Sequence, residues 1–167
     1  MVDFCMRYGN PSTASKVQEM VAAGVEKILF FPLYPHYAGA TSATANDAFF
    51  RALMKEKRQA AARVVAEYFE HPAYIEALTQ SVERAYAKLE VRPDVLVASY
   101  HGMPIRYLME GDPYHCQCAK TTRLLRERLG WDKTDIITTF QSVFGREEWL
   151  KPYTLDHMAD LAKQGKK

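Results

Sequence analysis

The chain alternates between short, dense apolar runs and longer polar stretches that carry an apolar residue every third or fourth position. The first pattern predicts buried strands and the second amphipathic helices. Strands are expected at Val2–Tyr8, Lys27–Leu33, Ala62–Phe69, Val95–Tyr100 and Thr134–Phe140. A first helix, capped by Ser12 and ending near Ala23, sets Val17, Met20 and Val21 on one face. A second, capped by Thr41 or Ser42 and reaching about Lys57, carries Phe49, Phe50, Leu53 and Met54. A third opens at His71-Pro72 and shows Ile75, Leu78, Val82, Ala85, Tyr86 and Leu89 at helical spacing. A fourth opens at Asp112-Pro113 and carries Thr121, Leu124, Leu125 and Leu129. Gly24 and Gly130 are natural stops. A last helix, introduced by Pro152 and Thr154, covers Asp156–Lys167. Strand, helix and strand joined by short links predict parallel βαβ units, so the fold class is α/β. Proline and charge cluster at Arg92-Pro93-Asp94, which reads as a link between residues 1–91 and 92–167.

Composition narrows the function classes. The 167 residues are 48% hydrophobic and 25% charged, the balance of a globular domain. Net charge is +2 with no basic run, which gives nucleic-acid binding no support. No apolar run approaches the roughly 20 residues that span a bilayer. The opening residues hold Asp3 and Arg7 and lack the apolar core of a signal peptide, so the cytoplasm is the expected compartment. Cys5, Cys116 and Cys118 leave an odd thiol and no disulfide framework. His115-Cys116-Gln117-Cys118 falls short of a structural zinc or iron–sulfur ligand set, and two thiols at a helix start are the simpler expectation.

Candidate chemistry gathers where strands end. Val95–Tyr100 delivers His101 to a turn broken by Gly102 and Pro104. Ligands of open α/β sheets bind beyond the carboxyl ends of strands. An imidazole there can hold a divalent metal or take a proton near neutral pH. It can equally tie the turn by hydrogen bonds, and the stretch alone leaves both readings open. His71 stands at a cap position on the same side of its strand, again as a cap or as part of that rim. Tyr34 and Tyr37 open a loop that turns small and hydroxylic through Thr41 to Thr44. Its aromatics suit a flat apolar ligand or ordinary packing. Its helix start suits a carboxylate. His36 is expected at the surface, and Trp149 either covers an apolar ligand or closes the core.

Five motifs in order resemble ferrochelatase: Met6-Arg7-Tyr8-Gly9-Asn10-Pro11, Leu33-Tyr34-Pro35-His36-Tyr37, Ser99-Tyr100-His101-Gly102-Met103-Pro104, Gly111-Asp112-Pro113-Tyr114 and Phe140-Gln141-Ser142-Val143-Phe144-Gly145. The resemblance covers essentially the whole chain. It implies two Rossmann-like lobes of parallel sheet flanked by helices, each incomplete here, with protoporphyrin IX held between them. It implies insertion of ferrous iron into that porphyrin, iron being a substrate, with no organic cofactor. His101 matches the family's active-site histidine, proposed as iron ligand and as acceptor of pyrrole protons. His71 matches a second histidine sometimes assigned to the site. Arg7, Tyr8, Tyr34, Tyr37 and Thr41 match the porphyrin-cleft walls. The resemblance does not extend an iron–sulfur cluster to Cys116 and Cys118, allows peripheral membrane contact and sets no oligomeric state. The family's Leu-x-Asn-Leu-Gly-x-Pro opening strand and its later His-x-Glu-Thr-Leu-x-Glu segment have no counterpart, so a central fragment is expected. The competing expectations are a chelatase for another tetrapyrrole or metal, a non-catalytic porphyrin- or haem-binding fragment, and a cysteine-based metal protein.

Overall fold

The computed structural model describes residues 1–167. Two compact units emerge, Met1–Glu67 and Tyr68–Lys167.

In the first unit, α1 (Thr13–Ala22) opens where the Ser12 hydroxyl accepts the Ser15 N–H at 3.1 Å. Strand β1 (Lys27–Phe30) follows, then a π-helical turn (Gly39–Ala43) running straight into α2 (Thr44–Leu53), then β2 (Ala61–Val64). The strands pair in parallel, Lys27 opposite Ala61 through Phe30 opposite Val64, with α2 as the crossover. Val17, Ile28, Phe49, Ala52 and Leu53 form the core. Phe30 stacks on Phe49 with ring centroids 4.5 Å apart.

Three expectations change here. Val2–Tyr8 is not a strand: Met6 makes one bridge to Ser12, and its N–H bonds the Pro11 carbonyl at 2.8 Å. A strand needs a partner along its length, and this segment spends its one backbone pairing on its own loop. Thr41 and Ser42 do not cap α2, because both lie inside the π-helical turn that precedes it. Lys27–Leu33 is not wholly buried: Leu29 is 67% exposed, since a two-stranded sheet covered on one face leaves alternate side chains outside.

The second unit begins with α3 (Pro72–Tyr86), whose cap is His71. Strand β3 (Leu96–His101), a short α4 (Ile105–Met109), α5 (Tyr114–Leu129), β4 (Ile136–Gln141) and α6 (Thr154–Lys163) follow. β3 and β4 pair in parallel from Leu96 opposite Ile136 to His101 opposite Gln141, and α5 is the crossover. Gly130 ends α5 in the left-handed conformation, φ 67°. Ile75, Cys118, Leu125, Ile136, Phe140 and Leu150 are buried, as are Thr79, Thr121, Thr122 and Thr139. The expected link at Arg92-Pro93-Asp94 does not divide the two compact units. Helix α3 packs on α5, so it groups with the residues that follow it. No helix is long and apolar enough to cross a membrane.

Candidate active site

The turn after β3 is built from backbone pairing. His101 closes the strand opposite Gln141, and the Gln141 carbonyl accepts the Gly102 N–H at 2.7 Å. Three residues of the segment after β4 then run antiparallel to the turn. The Glu148 carbonyl accepts the Ile105 N–H at 2.8 Å, and the Leu150 N–H reaches the Met103 carbonyl at 2.9 Å. Pro104 and Trp149 lie opposite each other between these bonds. A side chain is excluded at Gly102. A Cβ there would sit 2.6 Å from the Gln141 carbonyl oxygen and 3.1 Å from Cε3 of Trp149.

That turn decides what His101 presents. Its Nδ1 lies 2.8 Å from the Gly102 carbonyl oxygen. A carbonyl only accepts, so Nδ1 carries the hydrogen in the neutral ring, and Nε2 keeps its lone pair. The residue is exposed. His101 therefore offers a lone pair at the carboxyl end of β3, able to take a proton or bind a cation.

His71 is the converse case. Its Nδ1 accepts the Ala73 N–H at 3.2 Å, capping α3. With that lone pair engaged, a neutral ring carries its hydrogen on Nε2 and presents a donor. His71 and His101 thus belong to one unit with opposite tautomers.

The remaining candidates lie in the first unit. Arg7 sits over the Tyr8 ring, Cζ 4.5 Å from its centroid. Its Nε is buried without a hydrogen-bond partner, which leaves it a donor for an incoming acceptor. Tyr8 is exposed, and Tyr34, Tyr37 and Thr41 are half-buried. The Thr41 hydroxyl turns back to the Ala38 carbonyl at 3.4 Å. His36 is buried rather than at the surface, and burial pulls its imidazole down to about 4. Ser42 donates to its carbonyl at 3.4 Å.

The cysteines do not converge. Cys116 and Cys118 are two apart on α5, so they point to different sides of the helix. Cys116 is exposed, while Cys118 is fully buried and its thiol is pushed up to about 12 by that burial. His115 lies against the Phe140 ring instead, centroids 5.5 Å apart. Burial also raises the phenols of Tyr100 and Tyr114, keeping both protonated.

Sequence reasoning missed α4, whose five residues are too few to show a period, and the antiparallel contact that frames the His101 turn. Its only trace in the sequence is the apolar pair Trp149-Leu150 after the charged Arg146-Glu147-Glu148.

A family model described as Ferrochelatase matches residues 1–167. Among curated proteins, the Ferrochelatase of Rhodobacter capsulatus is 72% identical over 167 residues, all of this chain and 48% of the relative. The Ferrochelatase of Mesorhizobium japonicum is 56% identical over 166 residues, covering 99% of this chain and 47% of the relative. That of Allorhizobium ampelinum is 54% identical over 167 residues, covering 100% and 48%. The chain spans about half the length of the curated relatives it matches.

Proposed function

The chain belongs to the ferrochelatase family, and on that premise we propose that it supplies the histidine-bearing part of an enzyme inserting ferrous iron into protoporphyrin IX to form protohaem. The observation that carries this reading is the 2.8 Å contact between Nδ1 of the exposed His101 and the Gly102 carbonyl, which leaves the lone pair on Nε2. A free porphyrin holds two pyrrole N–H protons that must leave as the divalent ion enters. Nε2 of His101 accepts one such proton or holds the arriving iron, both tasks of a neutral imidazole. His71, with Nδ1 engaged by the helix it caps, assists as a hydrogen-bond donor. Arg7 pairs with a porphyrin propionate, with two parallel bonds where both carboxylate oxygens face it. Tyr8, Tyr34, Tyr37 and Thr41 line the macrocycle. A stiff aromatic wall favours a buckled ring whose nitrogen lone pair turns toward the metal.

Iron and porphyrin are substrates in this reading, and no organic cofactor takes part. The work is done in the cytoplasm, with any membrane contact peripheral. For the whole enzyme we assign residues 1–91 to the first Rossmann-like lobe and 92–167 to the second, a boundary drawn from the Arg92-Pro93-Asp94 link rather than from the packing of α3 on α5 in this chain.

The test is His101→Ala in the full natural polypeptide that contains these residues. Iron insertion is lost while porphyrin binding, read from the Soret band, survives. Near-normal turnover would remove His101 from the mechanism. The competing reading is a protein that binds porphyrin without metallating it. A Soret shift of the 167-residue chain without iron insertion favours that alternative.

A further inference from the structure

The imidazole of His101 does not choose its own tautomer. In water the neutral histidine ring favours the hydrogen on Nε2, which would make that nitrogen a donor and place the accepting lone pair on Nδ1 instead. Here the Gly102 carbonyl, 2.8 Å from Nδ1, enforces the other form. That carbonyl is in turn held by its surroundings. The Gly102 N–H is bonded to Gln141 at 2.7 Å, and the Met103 carbonyl is bonded to Leu150 at 2.9 Å. Between them the benzo ring of Trp149 fills the space beside the Gly102 Cα, where a Cβ would meet Cε3 at 3.1 Å and Cζ3 at 3.6 Å. The indole Nε1 is buried without a hydrogen-bond partner, so Trp149 is kept there by its ring contacts rather than by its N–H.

We propose that Trp149 is a positioning residue for His101: its ring, packed on Gly102, fixes the peptide that holds the imidazole with Nδ1 protonated and Nε2 bare. The inference rests on the proposed role of His101 but is read out independently of it. Its test uses the full natural polypeptide that contains this chain, with 15N-labelled histidine and no metal, at mildly alkaline pH. Long-range proton–nitrogen correlations then report which ring nitrogen carries the hydrogen.

The unsubstituted protein shows His101 protonated on Nδ1. Trp149→Phe keeps an aromatic ring in place but withdraws the benzo edge from Gly102. Trp149→Ala removes the ring entirely. In both variants the His101 signal moves toward the Nε2–H form. For Trp149→Phe, kcat for iron insertion drops about tenfold, the scale of a slightly misplaced catalytic group. KM for porphyrin stays within about twofold, because the ring contact invoked here is with Gly102 rather than with substrate.

An Nε2–H signal in the unsubstituted protein would overturn the proposal whatever the variants do. So would an unchanged Nδ1–H signal in either variant with native circular dichroism. A His101→Ala enzyme of normal turnover sinks the catalytic role but not this inference, since the tautomer shift on Trp149 substitution would remain.

Discussion

At Gly102 a single added methyl group has nowhere to go. Its nearest neighbour would be a backbone carbonyl at 2.6 Å, which cannot swing aside as a side-chain tip can. Gly102→Ala must therefore push the β3–α4 turn away from Gln141 and strain the bond between them. The expected cost is about 1–3 kcal/mol, the usual range for overpacking, read as a lower urea midpoint. An unchanged midpoint would mean that the turn has slack the geometry does not show. At this scale the position of His101 was legible in the sequence. An apolar β-branched run ending before Gly102 and Pro104 leaves the imidazole at a strand end. Its tautomer was not legible, because the partner that sets it is a backbone carbonyl whose direction depends on residues about 40 positions away. The same holds for His36, whose burial comes from the fold and leaves no mark on its neighbours in sequence.

Elements set by local chemistry were the most legible. Ser12 caps α1, His71-Pro72 opens α3 and Gly130 ends α5, each within a few residues of the expected place. These signals act over one turn of helix and need no tertiary partner. Strands depend on distant partners, and the Val2–Tyr8 segment shows the difference: its composition suits a strand, but only Met6 makes a bridge. One junction between elements is now open to test. The Thr154 hydroxyl, at the start of α6, lies 2.8 Å from that of Thr139 on β4 and 2.9 Å from that of Ser99 on β3. Thr139 is fully buried, so Thr154→Val strands its hydroxyl without this partner. About 1–3 kcal/mol of stability is lost, the penalty of a buried group left unsatisfied. Thr154→Ser restores most of it. Equal denaturation midpoints for the Val and Ser variants would show that the hydroxyl junction contributes nothing.

Across the whole molecule, the α/β class and the parallel crossovers followed from the order of strands and helices. The grouping of α3 with α5 did not, since it depends on which face of a long amphipathic helix meets which neighbour. Acid stability is also a property of the folded whole. His36 titrates near 4 when folded and near its ordinary 6.5 when unfolded. Between those values the unfolded chain binds a proton that the folded chain refuses. The His36 contribution is complete above about pH 6.5 and disappears as pH falls toward 4. Its slope approaches about 1.4 kcal/mol per pH unit inside that window. Urea midpoints measured at pH 7 and pH 5 should fall further for the parent chain than for His36→Gln. Parallel losses would place the acid sensitivity elsewhere.

The opposite ring states of His71 and His101 reach beyond the proposed iron insertion into the reactivity of the surface. Diethyl pyrocarbonate acylates only an imidazole nitrogen that has an unshared pair facing the reagent. Of the five histidines, His36 is buried, His115 lies against Phe140, the Nε2 of His157 is buried, and His71 spends its pair on the Ala73 N–H. A limiting dose followed by peptide mass mapping should find the first carbethoxyl adduct on His101, so one electrophile can report the poise of this ring with neither iron nor tetrapyrrole in the tube.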